Sequence, residues 1–310
     1  MRVYRDHHHT GLSSASVVAI GNFDGVHRGH RALINHAREQ AGSEREVAVV
    51  SFEPLPRAWF DSANAPPRLT GPAQKLRLLR EAGVDLAWLL RFNGALAGMS
   101  ARGFAEQILH RGLHAQVVIV GEDFRFGKGR EGDLKMLRDL GGELGFEVSP
   151  VGDVTANGQR ISSTAIRTAI AEGDFAGAEL MLGRPYTVMG HVIRGGQLGR
   201  TLGYPTANIR PWQGSTPLHG VYAVRSRAGQ GPWRDGVASV GQRPAVGGGE
   251  TLLEVHLFDV DADLYGQRLE TRFIARLRGE EDFASLDELV RQMNNDAHVA
   301  RSLLASAAPE

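Results

Sequence analysis

The chain has 310 residues, which favours two domains at roughly 100–200 residues each. Its 35 basic and 35 acidic residues divide 21 and 21 over residues 1–183 and 14 and 14 over 184–310, so neither half is a polycation. A nucleic-acid backbone or an anionic membrane is therefore not expected as the main partner, and the absence of cysteine excludes disulfides, thiolate metal sites and a cysteine nucleophile.

Taken in chain order, the first residues lack the apolar core of a secretion signal, and no apolar run approaches the ~18 residues of a membrane-spanning helix. A cytoplasmic setting is expected. Ser16–Ile20 reads as a short buried strand, followed by a Gly-rich turn and a helix near Gly29–Ala41. Val47–Phe52 reads as a second strand, and a Pro-rich loop runs on to Pro67. Ala73–Ala82 is predicted helical with Gly83 as its stop. Leu86–Phe92 and Val117–Gly121 are further strands, with a helix near Ala101–Leu109 between them. Strands separated by helices predict a parallel sheet covered on both faces. Thr164–Leu182 reads as two short helices ending at Gly173 and Gly183, and the domain boundary is placed near Gly183–Tyr186.

Beyond that boundary the pattern changes. Tyr222–Arg227, Gly236–Val240, Leu252–Phe258 and Thr271–Leu277 are short strands spaced by Gly, Pro and Asp, as in a small antiparallel barrel or sandwich. Ser285 and Glu288 form a capping box ahead of the apolar stripe Leu286, Leu289, Val290 and Met293. Fifteen glycines lie between Gly183 and Gly249, no lysine follows residue 183, and no GxxxxGK(S/T) occurs anywhere, so a P-loop kinase is excluded.

Two constellations carry chemistry. Gly21-Asn22-Phe23-Asp24-Gly25-Val26-His27-Arg28-Gly29-His30 joins a predicted strand to a predicted helix, and a helix N-terminus attracts phosphate. His27 and His30 are spaced to face such an anion, and Gly29 lets it approach the backbone. Ser162, Ser163, Thr164 and Arg167, in ISSTAIR, surround another predicted helix start, where hydroxyls also serve as plain N-caps. In the second half, Gly195, Gly199, Arg200 and Gly203 precede Tyr204-Pro205-Thr206-Ala207-Asn208. The glycines permit a backbone cradle for phosphates. An extended course would put Thr206 and Asn208 on one face as hard oxygen ligands for Mg²⁺. Glu254 alternates with Leu253 and Val255 and shares a face with His256 and Phe258; it reads either as a solvated strand residue or as a general base.

GNFDGVHRGH resembles the HxGH signature of nucleotidylyltransferases. Together with Ser51-Phe52-Glu53-Pro54, Gly121-Glu122-Asp123-Phe124-Arg125-Phe126-Gly127 and ISSTAIR it is similar to the FMN adenylyltransferase half of bacterial bifunctional FAD synthetases. PTAN, Gly220-Val221-Tyr222-Ala223, Glu254-Val255-His256, Tyr265-Gly266 and Leu277-Arg278 resemble the riboflavin kinase module. The resemblance spans about Val17 to Asp296. It implies a Rossmann-like N-terminal domain over 1–183 and an antiparallel β-barrel with terminal helices over 184–310. The activities implied are phosphorylation of riboflavin to FMN, then adenylylation of FMN to FAD, with ATP as co-substrate and Mg²⁺ as cofactor. By resemblance His27, His30 and Arg167 are catalytic in the first half, with Gly21, Asn22, Phe23, Asp24, Gly29, Ser162, Ser163 and Thr164 around the ATP phosphates. Asp123, Phe124, Arg125 and Arg278 lie near flavin. Glu254 takes the proton of the ribityl hydroxyl, Thr206 and Asn208 bind Mg–ATP, and Gly195, Gly199, Arg200 and Gly203 line its phosphates. Leu55 stands where the family usually has His, and Ser239–Val246 departs from the usual NIGxxPTF. The alternatives are a chain with one working half, a non-catalytic flavin sensor, and a tRNA-synthetase-like nucleic-acid binder, the last opposed by the balanced charge.

Overall fold

A computed structural model describes residues 1–194, 202–211, 216–243 and 250–307. Their contacts divide the chain into two compact units, Met1–Pro66 with Pro72–Ser162, and Pro67–Gly71 with Ser163–Glu310.

The first unit is built on a wholly parallel six-stranded sheet. Its strands are β1 (Arg2–Arg5), β2 (Ser16–Ile20), β3 (Glu46–Glu53), β4 (Leu86–Arg91), β5 (Ala115–Gly121) and β6 (Glu147–Val151), in the order β1-β4-β3-β2-β5-β6. Alternate residues feed two separate cores. Val17, Ala19, Val49 and Ile119 pack under Ile34 and Ala37 of helix α1 (Arg28–Ala41) and Leu78 and Leu79 of α3 (Pro72–Glu81). Val18, Ile20, Val50 and Trp88 face the opposite cluster, with Ile108 and Leu109. This explains the unbroken apolar runs of β2 and β3, which are buried on both faces. From β2 the chain moves to β3 and β4 on one side, then returns to β5 on the other. The strand order therefore reverses between β2 and β5, and open α/β sheets bind ligands at the carboxyl ends flanking such a point.

Between β3 and β5 lie the short helices α2 (Pro56–Phe60), α4 (Gly94–Ala97) and α5 (Ala101–Phe104). The single helix expected over Ala101–Leu109 is α5 followed by a π-helical stretch, Ala105–Gly112. It closes at Gly112, where a Cβ would meet the Trp88 ring at 2.5 Å. Helix α6 (Leu134–Leu144), capped by Asp133 and stopped by left-handed Gly145, precedes β6.

The second unit contains α7 (Ser163–Glu172), α8 (Phe175–Leu182) and a closed antiparallel barrel. A small hairpin in the first unit, β7 (Thr155–Ala156) with β8 (Gln159–Arg160), comes just before α7. The barrel strands are β9 (Thr187–Ile193), β10 (Ala207–Ile209), β11 (Gly220–Ala228), β12 (Arg234–Arg243), β13 (Glu250–Leu257) and β14 (Arg268–Arg278), closed by pairing of β10 with β9. Helix α9 (Leu286–Ser306) lies across β11, β12 and β14 and buries Ala300 and Leu304 against Ala223 and Phe258. Ser285 caps it as the sequence predicts, its Oγ accepting from the Glu288 amide at 3.2 Å. Arg225 ties down the far end, donating to the Leu304 carbonyl at 2.8 Å. Among the described residues no helix is long and apolar enough to cross a membrane.

Candidate active sites

In the first unit, Gly21–His30 leaves the carboxyl end of β2 at the strand-order reversal. The turn is conformationally demanding: Phe23, Gly25 and Val26 have φ of 48°, 85° and 42°. Left-handed backbone at a β-branched residue is costly and persists where the surroundings enforce it. Here Phe23 and Val26 are fully buried and Asp24 is 1% exposed. His27 is the N-cap of α1, its Nδ1 accepting from the His30 amide at 3.3 Å. With Nδ1 accepting, the neutral ring carries its proton on Nε2. The His27 and His30 rings stack at 3.6 Å and 20°. Gly29 makes this arrangement fit, because a Cβ there would lie 3.1 Å from His27 Nδ1. No acid occupies the first turn of α1, which begins with Arg28, so the helix dipole and side chains both favour an anion.

Asp123, Phe124 and Arg125 follow β5, on the other side of the reversal. Asp123 accepts from Arg160 at 2.9 Å, Arg125 pairs with Asp133 at 3.3 Å, and the Phe124 and Phe126 rings stack at 5.4 Å. Helix α2 and the residue after β4 present an aromatic group that the sequence reading missed. Trp59, Phe60 and Phe92 meet edge to face with centroids 5.2–6.0 Å apart, and Phe60 is 66% exposed. Its sequence signal was Trp-Phe just after the FEP segment. Leu55 is buried at the N-cap of α2 and gives that helix no side-chain cap.

Ser162 ends the first unit, whereas Ser163, Thr164 and Arg167 open α7 in the second. There Arg167 Nε donates to the Pro67 carbonyl at 2.6 Å.

In the second unit the barrel register brings two predicted site residues, Asn208 and Glu254, into one row with Ser239. Asn208 on β10 pairs with Glu254 on β13, which pairs with Ser239 on β12. Directly opposed strand residues have Cβ atoms ~5 Å apart. Leu253 and Val255 are buried at 1%, while Glu254 and His256 face a cavity of about 230 Å³ between the barrel and α9. Leu289, Met293 and Ala297 give that cavity an apolar wall, and Arg278 and Asp296 a charged one. Thr206 and Asn208 also line a second cavity of about 450 Å³, shared with Asp261, Asp263 and Tyr265. They therefore form a wall common to both spaces. Asn208 Oδ1 is buried with no hydrogen-bond partner among the described residues, and its Nδ2 donates to the Thr206 carbonyl at 3.3 Å. His256 Nδ1 donates to the Pro205 carbonyl at 2.9 Å, pinning the same segment. Gly203, at φ 84°, makes the preceding turn. Gly195, Gly199, Arg200 and residues 244–246 lie outside the described residues.

Asp296 is the residue sequence reasoning missed here. It is 5% exposed and holds Arg278 by bonds of 3.1 Å from Nε and 2.9 Å from Nη2, and it accepts from Gln292 at 2.8 Å. Its only signal was its place on the helix face of Met293, one turn on. Removing one partner of a buried ion pair strands the other charge. Asp296→Ala is accordingly expected to lower unfolding free energy by roughly 3–5 kcal/mol, measured by denaturant titration. The conservative Asp296→Asn is expected to lose less.

Comparisons with known proteins cover both halves of the chain. An FAD synthetase family model matches residues 10–165 and a riboflavin kinase model matches residues 182–304. Proteins named bifunctional riboflavin kinase/FMN adenylyltransferase are similar to nearly the whole chain. That of Escherichia coli K12 is 44% identical, over 94% of each chain. That of Pseudomonas fluorescens is 45% identical over 94% of each, and that of Haemophilus influenzae 41% over 97% and 98%. A crystal structure described as a macrolide-efflux protein from Streptococcus pneumoniae aligns with a TM-score of 0.80 at 31% identity, over 97% of this chain and 99% of that one. With both models matched in order and relatives above 40% identity spanning both halves, the chain belongs to the bifunctional riboflavin kinase/FMN adenylyltransferase family.

Proposed function

We propose that this chain phosphorylates riboflavin to FMN with one ATP, releasing ADP, and adenylylates FMN with a second ATP, releasing pyrophosphate. Residues 184–310 carry the first reaction and residues 1–183 the second. The observation that carries the reading is the Asn208–Glu254–Ser239 row, which sets a carboxylate beside a buried amide oxygen in an apolar cavity.

The riboflavin 5′-hydroxyl is a neutral alcohol. Its oxygen attacks the γ-phosphorus as its proton passes to Glu254, and the bond to ADP breaks. Leu289, Met293 and Ala297 offer the apolar surface that a flavin ring needs, and Arg278, oriented by Asp296, meets the ribityl or phosphate end. The nucleotide takes the cavity on the other side of Thr206 and Asn208. Those two residues fit Mg²⁺: both are hard oxygen donors, and Asn208 Oδ1 is left without another partner among the described residues. Bound there, Mg²⁺ supplies charge neutralisation of the phosphates. No group of three acidic or histidine residues able to hold a metal exists among the described residues, in keeping with an ion held largely by nucleotide. Asn208→Leu is expected to raise the Mg²⁺ concentration for half-maximal FMN formation at least ~10-fold, read from initial rates in a metal titration.

In the second reaction the nucleophile is an FMN phosphate oxygen, already ionised at neutral pH. It attacks the α-phosphorus of ATP, and the bond to pyrophosphate breaks. No base is required; positioning and positive charge are. His27, His30, the N-terminus of α1 and the backbone of Gly21–Asp24 supply these. Ser162, Ser163, Thr164 and Arg167 are assigned to phosphate on family resemblance. Asp123, Phe124 and Arg125 lie near the flavin, with the exposed Trp59 and Phe60 rings as stacking surfaces. The substrates are small molecules, and a cytoplasmic setting is proposed.

Radioactive phosphorus tests the order of transfer. Label at the γ-position of ATP should enter both FMN and FAD, and label at the α-position FAD alone. Label from the α-position in FMN would contradict the reading.

A further inference from the structure

Lys75 is completely buried, one of only three lysines in the chain. An ammonium is tolerated in an interior only when its donors are used. From α3, Nζ donates to the Asn22 carbonyl at 2.9 Å and to Ser51 Oγ at 3.3 Å. Ser51 Oγ itself donates to the same carbonyl at 3.0 Å, and Glu53 Oε2 lies 4.0 Å from Nζ. A cation and a hydroxyl thus converge on one backbone oxygen. That oxygen belongs to the residue immediately before left-handed Phe23, in the turn that ends with His27 capping α1. Strained backbone of this kind needs external anchors, and no other lysine serves this turn: Lys128 and Lys135 are exposed.

We propose that Lys75 is a positioning residue for adenylyl transfer, acting through the Asn22 carbonyl to hold the turn that sets the His27–His30 pair. The inference rests on the adenylyltransferase reading of that turn. Sequence alone gives no hint of it, since Lys75 lies in an ordinary amphipathic helix far along the chain from Gly21.

The full chain supplies its own control, because riboflavin phosphorylation is assigned to the other unit. Lys75→Met, similar in length and uncharged, is expected to lower kcat for FAD formation from FMN about 100-fold, with KM for ATP changed less than about threefold, the pattern of a misplaced reacting group. FMN formation from riboflavin should stay within about twofold. In Lys75→Ala, added butylammonium should restore part of the FAD rate and butanol should not, which separates a lost donor from a lost volume. FAD formation retained within about threefold in Lys75→Met, or equal rescue by butanol, would overturn the proposal. Should Lys75→Met not fold, Ser51→Ala carries the test: it removes the partner hydroxyl, and a fall of about tenfold in FAD formation supports the shared anchor, whereas an unchanged rate overturns it. Failure of the wild-type chain to make FAD from FMN would instead remove the reading on which the proposal rests.

Discussion

Glu254→Gln is expected to slow riboflavin phosphorylation by about 10³-fold while FMN adenylylation continues at the wild-type rate. The size follows from what the substitution removes. Glutamine keeps the volume that Glu254 occupies between Asn208 and Ser239, so the barrel row and the cavity under α9 persist. It cannot accept the proton of the attacking hydroxyl. A neutral alcohol gains nucleophilicity only as that proton leaves, so the loss should fall on kcat, with KM for riboflavin nearly unchanged. Initial rates of FMN formation under saturating ATP measure this directly. An unaltered kcat would take the base role from Glu254 and leave it a structural strand residue.

His30→Ala is expected to have the converse effect: FAD formation falls by about 10²–10³-fold and FMN accumulates when riboflavin is supplied. Charge builds on the α-phosphate oxygens in the transition state, and preorganised donors count for most there. His27 is a harder residue to test, because its ring also caps α1. His27→Ala would lose the cap, worth about 1 kcal/mol, together with the donor. His27→Asn keeps a capping acceptor and deletes the imidazole. Thermal unfolding close to wild type with FAD formation reduced as in His30→Ala would assign the loss to the ring. Restored FAD formation in His27→Asn would make His27 a cap alone.

What the sequence disclosed and what it hid follow one physical rule. Segments whose burial repeats a simple pattern were legible. Val17–Ile20 and Val47–Val50 are unbroken apolar runs because the parallel sheet covers both faces. Leu253, Glu254 and Val255 alternate because a barrel strand has a buried and a covered-polar side. Edge elements were not legible. Arg2–Arg5 joins the sheet beside β4 with a mostly exposed pattern, and Glu147–Val151 carries Pro150 at the opposite edge. Leu134–Leu144 went unread although Asp133 and Gly145 mark both of its ends. Thr187–Ile193 and Ala207–Ile209 are short strands on either side of the Gly-rich motif, where turn signals hid them.

The same rule divides the sites. His27, His30, Thr206, Asn208 and Glu254 sit in compact motifs that are recognisable from local spacing, although only the barrel register sets Glu254 beside Asn208. Lys75 and Asp296 act on residues 53 and 18 positions away, through contacts that only the folded chain creates. The Trp59–Phe60–Phe92 cluster likewise gathers from helix α2 and the residue that follows β4. Buried charge is what exposes such residues, because an interior ammonium or carboxylate must have a partner, and the partner names the role.

The central claim is that one chain carries two working sites in series. The direct measurement is to incubate the purified protein with ATP and Mg²⁺, start once from riboflavin and once from FMN, and resolve the flavins by chromatography over time. The account predicts FAD from both starts, with FMN rising and then falling in the first. FMN as the final product from riboflavin, or an untouched riboflavin beside a consumed FMN, would contradict it by leaving a single working half.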